Sequence, residues 1–192
     1  MMIVNSPGRD EAALRAGEIP CPGCSGRLRP HGHARSRTVR GLGDARLTVQ
    51  PRRARCAGCG RTQVLLPASL SVRRADALEV IGTALAAKAA GSGHRTIATV
   101  LGRPLSTVRR WLRGVPEPHA RWLYEQAVQH AFRLDPDILV RPKQWPTLLG
   151  HGLNILAGAA LAYCRRVDPE LRPWTVIGHF TRGSLLSPPL RT

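Results

Sequence analysis

The stretch "GHRTIATVLGRPLSTVRRWLRG" (Gly93–Gly114) decides how the chain folds. Counting from His94, the apolar or small residues Ile97, Ala98 and Leu101 recur at helical spacing. Gly102 follows at once, where a helix stops and the chain turns sharply. Arg103 and Pro104 extend the turn, and a proline opposes further helix. Ser106 then offers an N-cap for a second helix. On that helix Val108, Trp111 and Leu112 share one side, and Arg109, Arg110 and Arg113 face largely outward.

This pattern resembles a helix-turn-helix. Ala98 is the small residue where the second helix must approach the first. Gly102 is the turn glycine four residues later. Val108 and Trp111 are the two apolar anchors of the second helix. Asp76 to Ala90 precedes the pair, and its stripe of Leu78, Ile81 and Leu85 predicts a supporting helix. In such a motif the N-terminal residues of the second helix reach base edges in the major groove of duplex DNA. The candidates are Ser106, Thr107 and Arg110, with Arg109 and Arg113 on bases or phosphates. Arg95 and Arg103 are expected to clamp the phosphate backbone.

Upstream, the chain carries "CPGC" and "CAGC". Cys21, Cys24, Cys56 and Cys59 can supply four thiolates to one tetrahedral, structural Zn²⁺. Gly26 and Gly60 follow the pairs and let backbone N–H groups turn toward sulfur. Between the pairs, Arg35–Leu42 and Ala45–Pro51 read as short strands around a turn at Gly43-Asp44, and "RTQVLLP" as a third. The layout resembles a zinc ribbon. A disulfide pair or a redox motif is the alternative, and the latter would need one C-x-x-C beside a βαβ unit. His31 and His33 are expected on an exposed loop, though either could replace a ligand. Cys164 reads as a buried small hydrophobe. A closed four-cysteine site leaves no open coordination position, so no catalytic role is expected of it.

Charge supports a polyanionic partner. The 192 residues hold 29 Lys+Arg against 12 Asp+Glu, a net +17 with a pI near 11.6. The excess is localised. Arg27 to Arg61 holds ten arginines and one acid, Asp44, and Gly91 to Gly114 holds five arginines and no acid. Val115 to Thr192 has nine basic and six acidic residues and is nearly balanced. A hydrophobic content of 43% excludes wholesale disorder. No secretory leader or membrane span is expected, since the best apolar run, Thr147 to Cys164, is broken by His151 and Asn154. A cytoplasmic, nucleoid-associated protein with reduced thiols is expected.

After Gly114 the signal fades. "EPHARWLYEQAVQHAFRLD" predicts a helix, with Leu123, Ala127 and Ala131 on one side. Thr147 to Arg166 predicts another, with Leu149, Leu153, Leu156 and Ala160 in register. They would cover the core or form a dimer contact. The tail from Arg182 is expected to fray.

The resulting expectation is an α+β chain. It has an N-terminal extension (1–18), a zinc ribbon (19–67) and a helix-turn-helix domain (72–114). A helical C-terminal region with a frayed end follows (115–192). "CPGC", "RCAGCG", "LLPASL" and "TIATVLGRPLSTVRRWL" together resemble an uncharacterised family of small bacterial zinc-ribbon and helix-turn-helix proteins. They also resemble the N-terminal DNA-recognition region of insertion-sequence transposases. The resemblance covers roughly Ile19 to Gly114 and implies DNA binding, as a transcriptional regulator or in a mobile element. The expected partner is double-stranded DNA, bound by a monomer or homodimer without catalysis. One alternative is a transposase or transposase fragment using Asp135, Asp137, Asp168 and Glu170 for phosphoryl transfer, although a 78-residue helical tail lacks the strands of a nuclease sheet. Another is an RNA-binding or adaptor ribbon, disfavoured by the few aromatics in the basic half.

Overall fold

A computed structural model of the chain describes residues 2–4, 7–140 and 143–186. The fold is α+β: short strands surround the four cysteines, and helices follow. Strands β1 (Met2–Val4), β2 (Leu28–His33), β5 (Arg52–Cys56) and β6 (Thr62–Pro67) form one sheet in the order β1-β6-β5-β2. Strand β1 is parallel to β6, and the other neighbours are antiparallel. Strands β3 (Arg37–Arg40) and β4 (Arg46–Val49) form a separate antiparallel hairpin, with Arg40 opposite Arg46. That hairpin and β6 occupy the three stretches where the sequence implies strands. Strands β2 and β5 were not legible in arginine-rich sequence that lacks apolar alternation.

The first residues are built into the sheet rather than extending from it. Helix α1 (Pro7–Ala16) lies against β2 and buries Leu14 completely. A small apolar cluster joins Val4, Leu14, Leu28, Ala54 and Leu65 to Cys21 and Cys56.

The remaining elements are α2 (Leu78–Ala89), α3 (His94–Leu101), α4 (Leu105–Arg113), α5 (Glu117–Leu134), α6 (Asp137–Val140), α7 (Leu148–Arg166) and α8 (Pro173–Phe180). Helices α2, α3 and α4 pack on one another through Ile81, Leu85, Ile97, Ala98, Leu101, Val108 and Trp111, all buried. Gly102 ends α3 with φ 59° and ψ 40°, a left-handed conformation that glycine adopts without a Cβ penalty. Helix α4 begins two residues earlier than an N-cap at Ser106 would set it. Pro104 is its cap residue and no side chain caps the first turn. Proline fixes φ for helix entry and leaves Ser106 inside the helix on its exposed face.

The C-terminal helices share the same core. Thr147 caps α7, its hydroxyl accepting from Gly150 N at 3.1 Å. Gly152 of α7 sits beside Tyr124 of α5, and Arg166 donates to the Leu134 carbonyl, so the two helices run in the same direction. Glycine permits close approach at two contacts of α2 and α8. A Cβ on Gly82 would lie 2.2 Å from the Trp174 ring, and one on Gly178 would lie 1.9 Å from the Ala68 carbonyl oxygen. The chain after Arg182 does not fray over its described part. Leu185 and Leu186 are buried, and His119 Nε2 lies 3.2 Å from the Leu185 carbonyl. The remainder of the expected frayed end, residues 187–192, lies outside the described residues.

The hairpin belongs to the helical core as much as to the ribbon. Val39 is fully buried among the helical residues with Leu66 and Leu70, and Val49 packs on them. The segment "LPASLSVRRAD", which reads as a linker, is likewise packed: Leu66, Ala68, Leu70, Ser71 and Asp76 are buried. No helix among the described residues is long and apolar enough to cross a membrane.

Candidate metal centre and helix-turn-helix

Two glycine-containing turns bring the four cysteines together. Cys21 and Cys24 precede β2, Cys56 ends β5, its antiparallel neighbour, and Cys59 lies in the turn that follows. All four sulfurs lie within 4.8 Å of one another, with Cys21–Cys59 at 3.8 Å and Cys24–Cys56 at 3.5 Å. A tetrahedral thiolate site with Zn–S of about 2.3 Å has S···S separations of about 3.8 Å. The donor set therefore fits a thiophilic, four-coordinate ion. Cys21 and Cys56 are buried, and Cys24 and Cys59 are exposed.

Backbone amides already point at the sulfurs. Gly23 N donates to Cys21 at 3.4 Å, Gly26 N to Cys24 at 3.3 Å, and Gly58 N and Cys59 N to Cys56 at 3.3 and 3.4 Å. Such donors stabilise thiolate charge and orient the ligands. In the thiol state the Cys59 amide leads in pulling Cys56 down to about 6. The Gly26 amide also favours the Cys24 thiolate, but hydrogen bonds with the other cysteines outweigh it and push Cys24 up to about 11. Gly26 has a packing role as well, because a Cβ there would lie 2.8 Å from Cys56 Sγ.

His31 and His33 are exposed and outside this cluster. Cys164 is half-buried on α7 and donates to the Leu171 carbonyl at 3.1 Å, and burial raises its thiol pKa. The four carboxylates of the phosphoryl-transfer alternative do not converge. Asp135 faces Arg165 and Arg166, Asp168 is buried against Arg9, Asp137 and Glu170 are exposed, and no three of them come together as a metal-ligating group. Among the described residues the cysteines form the only cluster of three or more metal-ligating side chains.

The second region is the α3–α4 pair. Val108 and Trp111 turn inward, and Ser106, Arg109, Arg110 and Arg113 lie exposed along the opposite stripe. Arg109 Nη2 sits 3.1 Å from His94 Nε2, which ties α4 to the start of α3, and Arg113 Nε donates to the Arg109 carbonyl at 3.4 Å. Thr107 is half-buried, and Arg95 is exposed on α3.

Arg103 departs from its expected role as a phosphate clamp. Its side chain is 6% exposed and points into the protein. Nε donates to Asp76 Oδ1 at 2.7 Å, Nη1 to the Leu101 carbonyl at 3.0 Å, and Nη2 to the Gly41 carbonyl at 2.5 Å. Buried Asp76 also accepts from Arg40 Nη2 at 2.8 Å through its other oxygen. A guanidinium at a turn can point to solvent or inward. Here a buried carboxylate decides, because Arg40 satisfies only Oδ2 and Oδ1 would otherwise lose its charged partner. Asp76 was not singled out from the sequence: its partners lie 36 and 27 residues away.

Residues 21–111 match a family described as Domain of unknown function (DUF6431). The match begins at the first cysteine and ends at Trp111, so it takes in both cysteine pairs, the hairpin and the helix-turn-helix, a little under half of the chain. No curated protein and no solved structure matches.

Proposed function

We propose that this chain is a zinc-containing, non-enzymatic protein that binds double-stranded DNA, with α4 as its recognition helix. The observation that carries the reading is the exposed stripe Ser106, Arg109, Arg110 and Arg113 on a helix held from behind by buried Val108 and Trp111. Arginine reads guanine through two parallel hydrogen bonds and also grips phosphate. Neither α3 nor α4 carries an acid to oppose a phosphate. The uncapped first turn of α4 adds backbone N–H groups that suit a phosphate oxygen. Arg103 is removed from the contact set and becomes a brace for the turn. The four-thiolate site holds zinc as a structural ion that fixes the ribbon. A regulator of transcription or a recognition protein of a mobile element would both use this arrangement, in the cytoplasm at the nucleoid, as a monomer or a homodimer.

The test is metal content together with selection from a random duplex pool. One zinc per chain and an enriched sequence that Arg109→Ala/Arg110→Ala binds poorly are expected. Zinc without enrichment from duplex DNA would overturn the DNA reading and direct the search to RNA or a protein partner.

A further inference from the structure

We infer that the β3–β4 hairpin is a second duplex-contacting element, which grips the sugar-phosphate backbone beside the groove that α4 enters. The inference rests on the DNA reading above. In the hairpin, Thr38 pairs with Thr48 and Arg40 with Arg46. Side chains directly opposite one another share a face, and alternate pairs point to opposite faces. Val39 and Val49 face the helical core, so Thr38, Arg40, Arg46 and Thr48 share the other face. Thr38, Arg46 and Thr48 are exposed there, and every polar group on that face is a hydroxyl or a guanidinium. Those are the side chains that donate to phosphate oxygens.

The hairpin is also fixed relative to α4. Arg40 N donates to the Ala75 carbonyl and Ala77 N to the Arg40 carbonyl, both at 2.8 Å, so residues 75–77 run along β3 with Asp76 beside Arg40. Asp76 and the Gly41 carbonyl then hold Arg103, the turn residue two positions before α4 begins. The turn therefore lies over one end of the same hairpin face that carries Arg46 and Thr48 farther along. A backbone following α4 past its N-terminus meets Arg46 and the hydroxyls of Thr38 and Thr48, locked at a set position. Lone surface arginines on flexible loops would lack that register.

The test uses the full-length, zinc-loaded protein, the duplex enriched from the random pool, and the surface variant Arg46→Ala/Thr48→Val. Binding should weaken about tenfold, and the slope of log affinity against log salt should fall by about 1. Sequence preference should persist. Ethylation of phosphates flanking the α4 site should interfere with the parent protein and no longer with the variant. Unchanged affinity, salt slope and interference pattern would overturn the hairpin's role while α4 variants still weaken binding. A parent protein that enriches no duplex would overturn the DNA reading itself, and this inference with it.

Discussion

The ribbon and the helical region stand on different supports. Among the described residues the ribbon's own cluster has seven buried residues, and two of them, Cys21 and Cys56, belong to the four-cysteine site. The helical cluster runs from Val39 to Leu186 and includes Trp111, Leu123, Leu156 and Phe180. A sheet with so little apolar burial needs a staple, whereas the helices bury enough side chain to stand by packing. The chain is divided by its source of stability, and the division does not follow the order of its elements. The β3–β4 hairpin lies between the cysteine pairs in sequence, yet its Val39 sits in the helical core.

If the cysteines hold zinc as proposed, stripping the ion should separate the two regions most widely. Structural zinc supplies on the order of 10 kcal/mol to small four-ligand sites. Chelation, or Cys56→Ser, should collapse the amide dispersion of residues 19–33 and 52–67 in heteronuclear spectra while most helical circular dichroism survives. Equal loss of both signals would mean that the helices also depend on the ion.

Packing should dominate on the other side. Trp111→Ala empties a buried site in the helical cluster and should cost about 3–5 kcal/mol in urea unfolding with zinc still bound. A change below about 1 kcal/mol would contradict the packing described for α4.

Asp76→Ala addresses the junction of the two regions. It strands a guanidinium that is 6% exposed and should cost up to about 3–5 kcal/mol. It should also separate the unfolding of the hairpin from that of α3 and α4. Coincident transitions at parental stability would show that the ion pairs do not join the regions.

The pH dependence should be the smallest effect and confined to the helices. Burial leads in lowering the pKa of His119, His130 and His179 below the ordinary 6.5. The unfolded chain then binds these protons more readily than the folded one. Stability is full above about 6.5 and declines as pH falls below it. Tryptophan fluorescence should report a lower melting temperature at pH 5.5 than at pH 7.5, and His130→Gln/His179→Gln should make the decline shallower. An unchanged decline would assign it elsewhere, for example to protonation of the metal-site thiols.

Legibility followed the same division. The cysteine pairs, the hairpin turn at Gly43-Asp44 and the helix-turn-helix each rest on local residue types at short spacing, and these were readable. Helix α1 was not, because it buries little besides Leu14 and has no apolar stripe. Strand β1 spans three residues and gains meaning only by pairing with β6, more than sixty residues away. The role of Arg103 depended on a buried carboxylate elsewhere in the chain. The packed Leu185 and Leu186 lie in a stretch whose composition alone suggests a loose end.

On the function proposed above, α4 presents duplex DNA with a specific cationic stripe, and bulk charge does not suffice. The most direct test compares two charge-matched variants of the zinc-loaded protein on the enriched duplex across a salt series. Arg109→Ala/Arg110→Ala should weaken binding and lower the salt slope by about 2, while Arg121→Ala/Arg165→Ala, on exposed arginines of α5 and α7, should leave both unchanged. Equal losses from the two variants, or none from the first, would contradict it.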